Sequence, residues 1–155
     1  YFYDPSQQIV RLDLEDLYAG ITGAHMVVVN DYEFGLINDK LGLDEDGIMD
    51  HVTILGITRG EHGATILSQD SRCETPSVTP DELLDPTGVG DAFRGGFLRG
   101  VSLELSLEVC SLMGALSATY CLEHVGSQNH YYTRPNFAAR FRTHFDDDGA
   151  LDVML

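Results

Sequence analysis

The chain has 155 residues, 43% of them hydrophobic, with no apolar run long enough to span a bilayer, so a single domain with a buried core is expected and a membrane segment is not. The 25 acidic and 9 basic residues leave a formal charge of −16 with Lys40 as the single lysine, which makes nucleic acid a poor partner. Cys73, Cys110 and Cys121 form no C-x-x-C pair and cannot all pair within the chain, which favours free thiols and a cytoplasmic setting. The chain begins at Tyr1 rather than Met and shows no basic segment leading into an apolar one, so a fragment or processed product without a secretory signal is expected.

In chain order, residues 1–4 read as the end of a short strand, with Asp4-Pro5-Ser6 as its turn. Residues 12–21 have helical apolar spacing, with Asp13 as cap. The run HMVVVN at 25–30 is β-branched and nearly continuous, which predicts a buried parallel strand, and a helix follows over 31–41. One or two helical turns are expected at 47–52, then a second buried strand, TILGIT, at 53–58 and a glycine-rich turn at 59–63. Strands are predicted at 64–68 and 72–78, and helices at 89–100, 103–123 and 136–145. This alternation implies an α/β domain over residues 1–145 with a mainly parallel sheet, one edge of which is left unpaired. The tail, 146–155, opens with three acids and a glycine and is expected to fray.

The stretch Asp85-Pro-Thr-Gly-Val-Gly-Asp-Ala-Phe-Arg-Gly-Gly96 carries the chemistry. Thr87, Gly88, Val89 and Gly90 precede a helix and expose backbone N–H groups at its positive end, a place that suits phosphate or a developing oxyanion. Glycine permits the unusual φ and the close ligand approach such a loop needs. Asp91 falls in the first helical turn, where the helix dipole stabilises an acid. Taken alone, the pattern also fits an ordinary helix acid below a tight turn. A P-loop would need G-x-x-x-x-G-K-[ST], and the lysine lies far away at Lys40; a dinucleotide fingerprint would need glycine where Phe93 stands. The six histidines have no ligand spacing, so no zinc site is expected.

Asp85-Pro-Thr-Gly-Val-Gly-Asp91, followed by Ala-Phe-Arg-Gly-Gly-Phe-Leu98, resembles the carboxy-terminal signature of the ribokinase/PfkB family of carbohydrate and nucleoside kinases, usually D-T-x-G-A-G-D. Asn30-Asp-Tyr-Glu33 matches the family's N-x-x-E element and Thr58-Arg-Gly-Glu-His-Gly63 its T-x-G-x-x-G element, in the family's order. The resemblance runs over residues 1–145 and implies a three-layer, Rossmann-like, ribokinase-like α/β fold, of which the amino-terminal half and lid have no counterpart here. It implies an ATP- and Mg²⁺-dependent kinase. Asp91 would be the catalytic base and Gly88, Val89 and Gly90 the anion hole. Asn30 and Glu33 would organise Mg²⁺, largely through water, and the phosphates. Thr58, Gly60 and Gly63 would line the nucleotide's ribose and phosphates, and Arg59 would reach a phosphate. Gly114, Ala115 and Ala118, with Gly126 and Asn129, resemble the segments that enclose adenine; close helix packing is the alternative reading of the small residues. Asp85 and Thr87 match the potassium site of potassium-activated members.

The sequence around residues 91–98 and 114–118, with Phe2-Tyr-Asp-Pro-Ser-Gln-Gln8, is more similar to adenosine kinases than to ribokinase, so the expected acceptor is a nucleoside, with ribose, fructose or a related sugar as the runner-up. A homodimer is a candidate assembly, and no membrane partner is expected. A non-catalytic nucleotide-binding module is the competing class.

Overall fold

The computed structural model describes all 155 residues, Tyr1–Leu155, and their contacts divide the chain into two units, Tyr1–Glu74 and Thr75–Leu155. The sheet has five strands in the order β1 (Phe2–Tyr3), β2 (Met26–Asn30), β3 (Ile54–Thr58), β4 (Ala64–Ser68) and β5 (Arg72–Thr75). β1, β2 and β3 are mutually parallel, and β4 returns antiparallel to β3. The two β-branched runs form the buried strands as expected, since side chains on both faces of a parallel strand need cover. Gly56 is closely packed: a Cβ would lie 3.0 Å from Val28 Cγ2 and 3.2 Å from Ile66 Cδ1, so either neighbour would have to give way.

Three helices belong to this first unit: α1 (Leu14–Thr22), α2 (Asp31–Leu41) and α3 (Glu45–Met49). Each begins at a side-chain cap, Asp13, Asn30 and Asp44 respectively. Asp44 sets α3 two residues earlier than the apolar spacing predicts. Ile21, Ile37 and Ile48 from the helices and Val27, Val29, Leu55 and Ile57 from the strands form one core. Lys40 is not a free cation; its Nζ donates to the carbonyl oxygens of Ile9 at 2.6 Å and Leu12 at 2.9 Å.

The second unit contains α4 (Val89–Ser102), α5 (Leu107–Leu122) and α6 (Arg134–His144). Glycines let α4 and α5 touch: a Cβ on Gly96 would lie 2.6 Å from Met113 O, and one on Gly100 2.9 Å from Cys110 Cα. Residues 103–106, expected to be helical, are not, because Glu104 adopts φ +57° and Ser106 caps α5 by accepting from Val109 N. The strand expected over 72–78 ends at Thr75.

The tail does not fray. Residues Ala150–Met154 form a 3-10 helix, with Leu151 and Met154 buried beside Phe137 and Phe141. Composition misleads here because the acids are paired: Arg142 donates to both oxygens of the buried Asp147 at 3.0 Å and to Asp152 at 2.6 Å.

Candidate active site

Asn30 and Thr58 end β2 and β3 and face each other in register, so the N-x-x-E and T-x-G-x-x-G elements leave the sheet side by side at the carboxyl ends of parallel strands. Asn30 Oδ1 accepts from Glu33 N at 2.8 Å, and Glu33 Oε2 accepts from Asn30 N at 2.9 Å, a complete capping box that starts α2. Glu33 is buried. Thr58 Oγ1 donates to Val29 O at 3.5 Å. The turn that follows needs its glycines, with φ +55° at Gly60 and +82° at Gly63.

Arg59, expected to reach a phosphate, lies among acids of its own unit. Its guanidinium donates to Thr65 Oγ1 and lies 3.8 Å from Glu74 and 3.9 Å from Glu45. Arg72 pairs with the same two carboxylates. The cation expected to reach a phosphate is therefore held by acids of its own unit.

In the second unit, Asp85 ties down the glycine loop. Its Oδ1 accepts from Thr87 N at 2.8 Å and its Oδ2 from Gly126 N at 2.9 Å, joining the loop before α4 to the one after α5. Hydrogen bonds from the Thr87 hydroxyl, and then from the two backbone N–H groups, hold its carboxyl below the usual carboxylate range. Burial, then the charges of Asp85 and Asp91, push the Cys121 thiol up; its Sγ donates to Thr87 O at 3.4 Å.

Gly88 precedes α4 at φ +84°, and a Cβ there would lie 2.5 Å from Ser127 Cβ. No side chain caps α4, whereas the five other α-helices each have one. No side chain therefore accepts from its first N–H groups, although Val89 N donates to Pro86 O at 3.4 Å; the Asp91 carboxylate in the same turn is 82% exposed and lies 3.2 Å from Arg94 Nη1. Gly90 lies within the first turn of α4 without a positive φ, so the backbone constraint belongs to Gly88.

Gly114 lies in α5 because Phe93 occupies the space beside it: a Cβ would be 2.9 Å from Phe93 O. Helix packing accounts for that glycine. Ala115 is buried and Ala118 partly exposed. Gly126 adopts φ +90°, and Asn129 Nδ2 donates to Val125 O at 2.7 Å, closing the loop. Ser127 and Arg94 fall inside the motif stretches, but sequence reasoning gave neither a role of its own, because their contacts with the Gly88 position and Asp91 come from the fold.

Thr58 and Asn30 are thus neighbours in one unit, and Asp85, Thr87, Gly88 and Gly126 in the other. No group of three or more His, Cys, Asp or Glu lies close enough to hold a metal ion, and no helix is long and apolar enough to cross a membrane.

A nucleoside kinase from Burkholderia thailandensis, solved in complex with inosine, superposes with a TM-score of 0.91 at 40% identity over 93% of this chain and 48% of its own. A nucleoside kinase from Methanocaldococcus jannaschii is 30% identical over 142 residues, 92% of this chain and 47% of its own, and its structure matches with a TM-score of 0.89. Ribokinase from Thermotoga maritima, 19% identical over 92% of this chain and 48% of its own, shares the fold with a TM-score of 0.74. The chain spans about half the length of these relatives. The family model for pfkB family carbohydrate kinases matches residues 1–134, and the chain belongs to that family.

Proposed function

We propose that this chain supplies the ATP-binding and phosphoryl-transfer part of a nucleoside kinase. The observation that carries the reading is the start of α4: uncapped backbone donors at a glycine forced into the left-handed region, with an exposed carboxylate in the same turn. The relatives named as nucleoside kinases, one of them solved with inosine, favour a nucleoside over ribose or fructose as acceptor.

In this reading the acceptor hydroxyl oxygen forms a bond to the γ-phosphorus as the bond from that phosphorus to the β–γ bridging oxygen breaks, and ADP leaves with the bond's electron pair. Asp91 orients the hydroxyl and takes its proton. The N–H groups of Gly88, Val89 and Gly90 stabilise charge developing on the phosphoryl oxygens. Thr87 holds the loop's entry through Asp85, and the pair offers oxygen ligands to a potassium ion.

In the other unit, Thr58, Gly60 and Gly63 line the ribose and phosphates. Arg59 serves by bracing this turn against Glu45 and Glu74. Ala115, Ala118, Gly126 and Asn129 flank the base, and Gly114 sets the helix spacing behind them. With no cluster of acidic ligands at hand, magnesium would take its ligands from phosphate and water, with Asn30 and Glu33 organising them. When bound, the ion neutralises charge on the β- and γ-phosphates.

The test is Asp91→Asn in the intact kinase. Loss of the base should cut kcat by roughly 10²- to 10⁴-fold and leave ATP affinity in place. Near-wild-type turnover would remove Asp91 from the mechanism. A wild-type protein that binds ATP yet consumes none with inosine, adenosine, cytidine, ribose or fructose would be a nucleotide-binding module instead.

A further inference from the structure

Most cations of this acidic chain have carboxylate partners. Arg59 and Arg72 pair with Glu45 and Glu74, Arg94 with Asp91, Arg140 with Glu123, and Arg142 with Asp147 and Asp152. Arg99 and Arg134 have none. The guanidinium of Arg99 donates only to the Ser102 hydroxyl, at 3.4 Å. Both of these arginines line one cavity of about 180 Å³ in the second unit.

Apart from the two arginines, the cavity's walls are largely apolar. Met113, Phe137 and Met154 are buried. Tyr132 packs at 4.9 Å from Phe137 and 4.6 Å from Tyr120, and its hydroxyl bonds Ser117 Oγ at 3.1 Å. Gly95, where a Cβ would meet nothing within 4 Å, leaves the backbone of α4 open on the remaining side, while Gly96 packs against Ser117 and Met113. Arg134 is the first residue of α6, so the positive end of that 11-residue helix adds to the two guanidinium charges.

We propose that this cavity binds a small organic anion, one carboxylate or phosphate monoester on an apolar body about one ring in size. The volume sits just above the roughly 150 Å³ that admits benzene and below the roughly 300 Å³ at which pockets for larger ligands begin. Two guanidinium groups without counter-charge supply the bidentate donors a carboxylate or phosphate takes. The site is separate from the proposed transfer chemistry. Arg99 stands eight residues beyond Asp91, about 12 Å along α4, and Arg134 lies on a different helix. Met113 and Ser117 flank Ala115 at a two-residue spacing, which puts them on another face of α5. None of the residues assigned to transfer lines the cavity.

The test uses the intact kinase without nucleotide, titrated with benzoate, phenyl phosphate and inorganic phosphate by calorimetry. At least one of the two aryl anions should bind with a Kd below about 1 mM, and the tighter of the two names the head group. Arg99→Gln and Arg134→Gln should each weaken that binding about tenfold or more and leave ADP affinity unchanged. Gly95→Leu fills the cavity without altering charge; a Cβ at Gly95 meets nothing within 4 Å, so the variant should fold and bind neither probe. The proposal is overturned if no aryl anion binds, if the arginine variants bind as well as wild type, or if inorganic phosphate binds as tightly as phenyl phosphate and ignores Gly95→Leu. The readout is binding, so it stands apart from whether Asp91 is a catalytic base.

Discussion

Gly88 and Gly90 flank the same valine and read alike in the sequence, yet the backbone asks different things of them. Gly88 sits at φ +84° with Ser127 against it; Gly90 is helical, and a Cβ there would meet only the movable head of Arg94, at 3.1 Å. Gly88→Ala should therefore cost roughly 1–2 kcal/mol for the left-handed backbone alone, and more for the clash. At about 2–4 °C per kcal/mol this is a visible fall in Tm. Gly90→Ala should hold or slightly raise Tm, since alanine favours a helix over glycine by about 1 kcal/mol. Gly90→Val should fold and lose transfer, because its branches crowd the proposed phosphoryl position. Melts with and without ATP, beside activity per folded molecule, separate the two glycines. Full turnover by Gly90→Val would take Gly90 out of the anion hole. The sequence shows that glycines are needed in this loop but not which one has the positive φ, since that depends on where the loop after α5 arrives.

At the level of elements, the capping box of α2 makes a clean variant available. Glutamine at position 33 keeps an oxygen acceptor for Asn30 N, so Glu33→Gln should leave the start of α2 and the Tm nearly unchanged. A rise in the Mg²⁺ needed for half-maximal activity then reports the lost charge, and an unchanged titration returns Glu33 to a purely capping role. The tail offers a pH test. Hydrogen bonds from Arg142 hold the Asp147 carboxyl at about 2, against about 3.9 for an unfolded aspartate. A depressed carboxylate stabilises the fold above its unfolded value and stops doing so as pH falls through about 2. Backbone amides of residues 147–154 should thus be protected from exchange at pH 5–7 and lose protection as pH approaches 2, while Asp147→Asn lacks it throughout. Equal protection in wild type and variant at pH 6 would rule out this clamp. β2, β3 and the cap at Asp13 were legible because local pattern decides them. The start of α5 and the ordered tail were not, because Glu104's backbone and Arg142's partners depend on contacts that composition does not encode. The ion pairs of Arg59 were not legible for a similar reason: Glu45 and Glu74 lie 14 and 15 residues away in sequence.

Across the whole chain, the charge of −16 on 155 residues sets a background against which any specific ion effect must be read. Like charges repel more in the folded state than in the expanded one, so salt should stabilise the fold as the screening length shrinks from about 30 Å at 0.01 M to about 3 Å at 1 M. Screening depends on ionic strength and not on which monovalent cation supplies it. Potassium, sodium and lithium chloride should accordingly raise Tm by similar amounts. A potassium ion held by the loop of Asp85 and Thr87 predicts something screening cannot: at constant ionic strength, replacing sodium with potassium should raise kcat/KM. That gain should vanish in Asp85→Asn, whose lost anionic acceptor also loosens the tie to Gly126. Asp85→Asn alone would be ambiguous, since a loosened loop slows transfer whatever ion is present. The cation series resolves it, because a purely structural Asp85 gives equal rates in potassium and sodium for wild type, and that equality would remove potassium from the site.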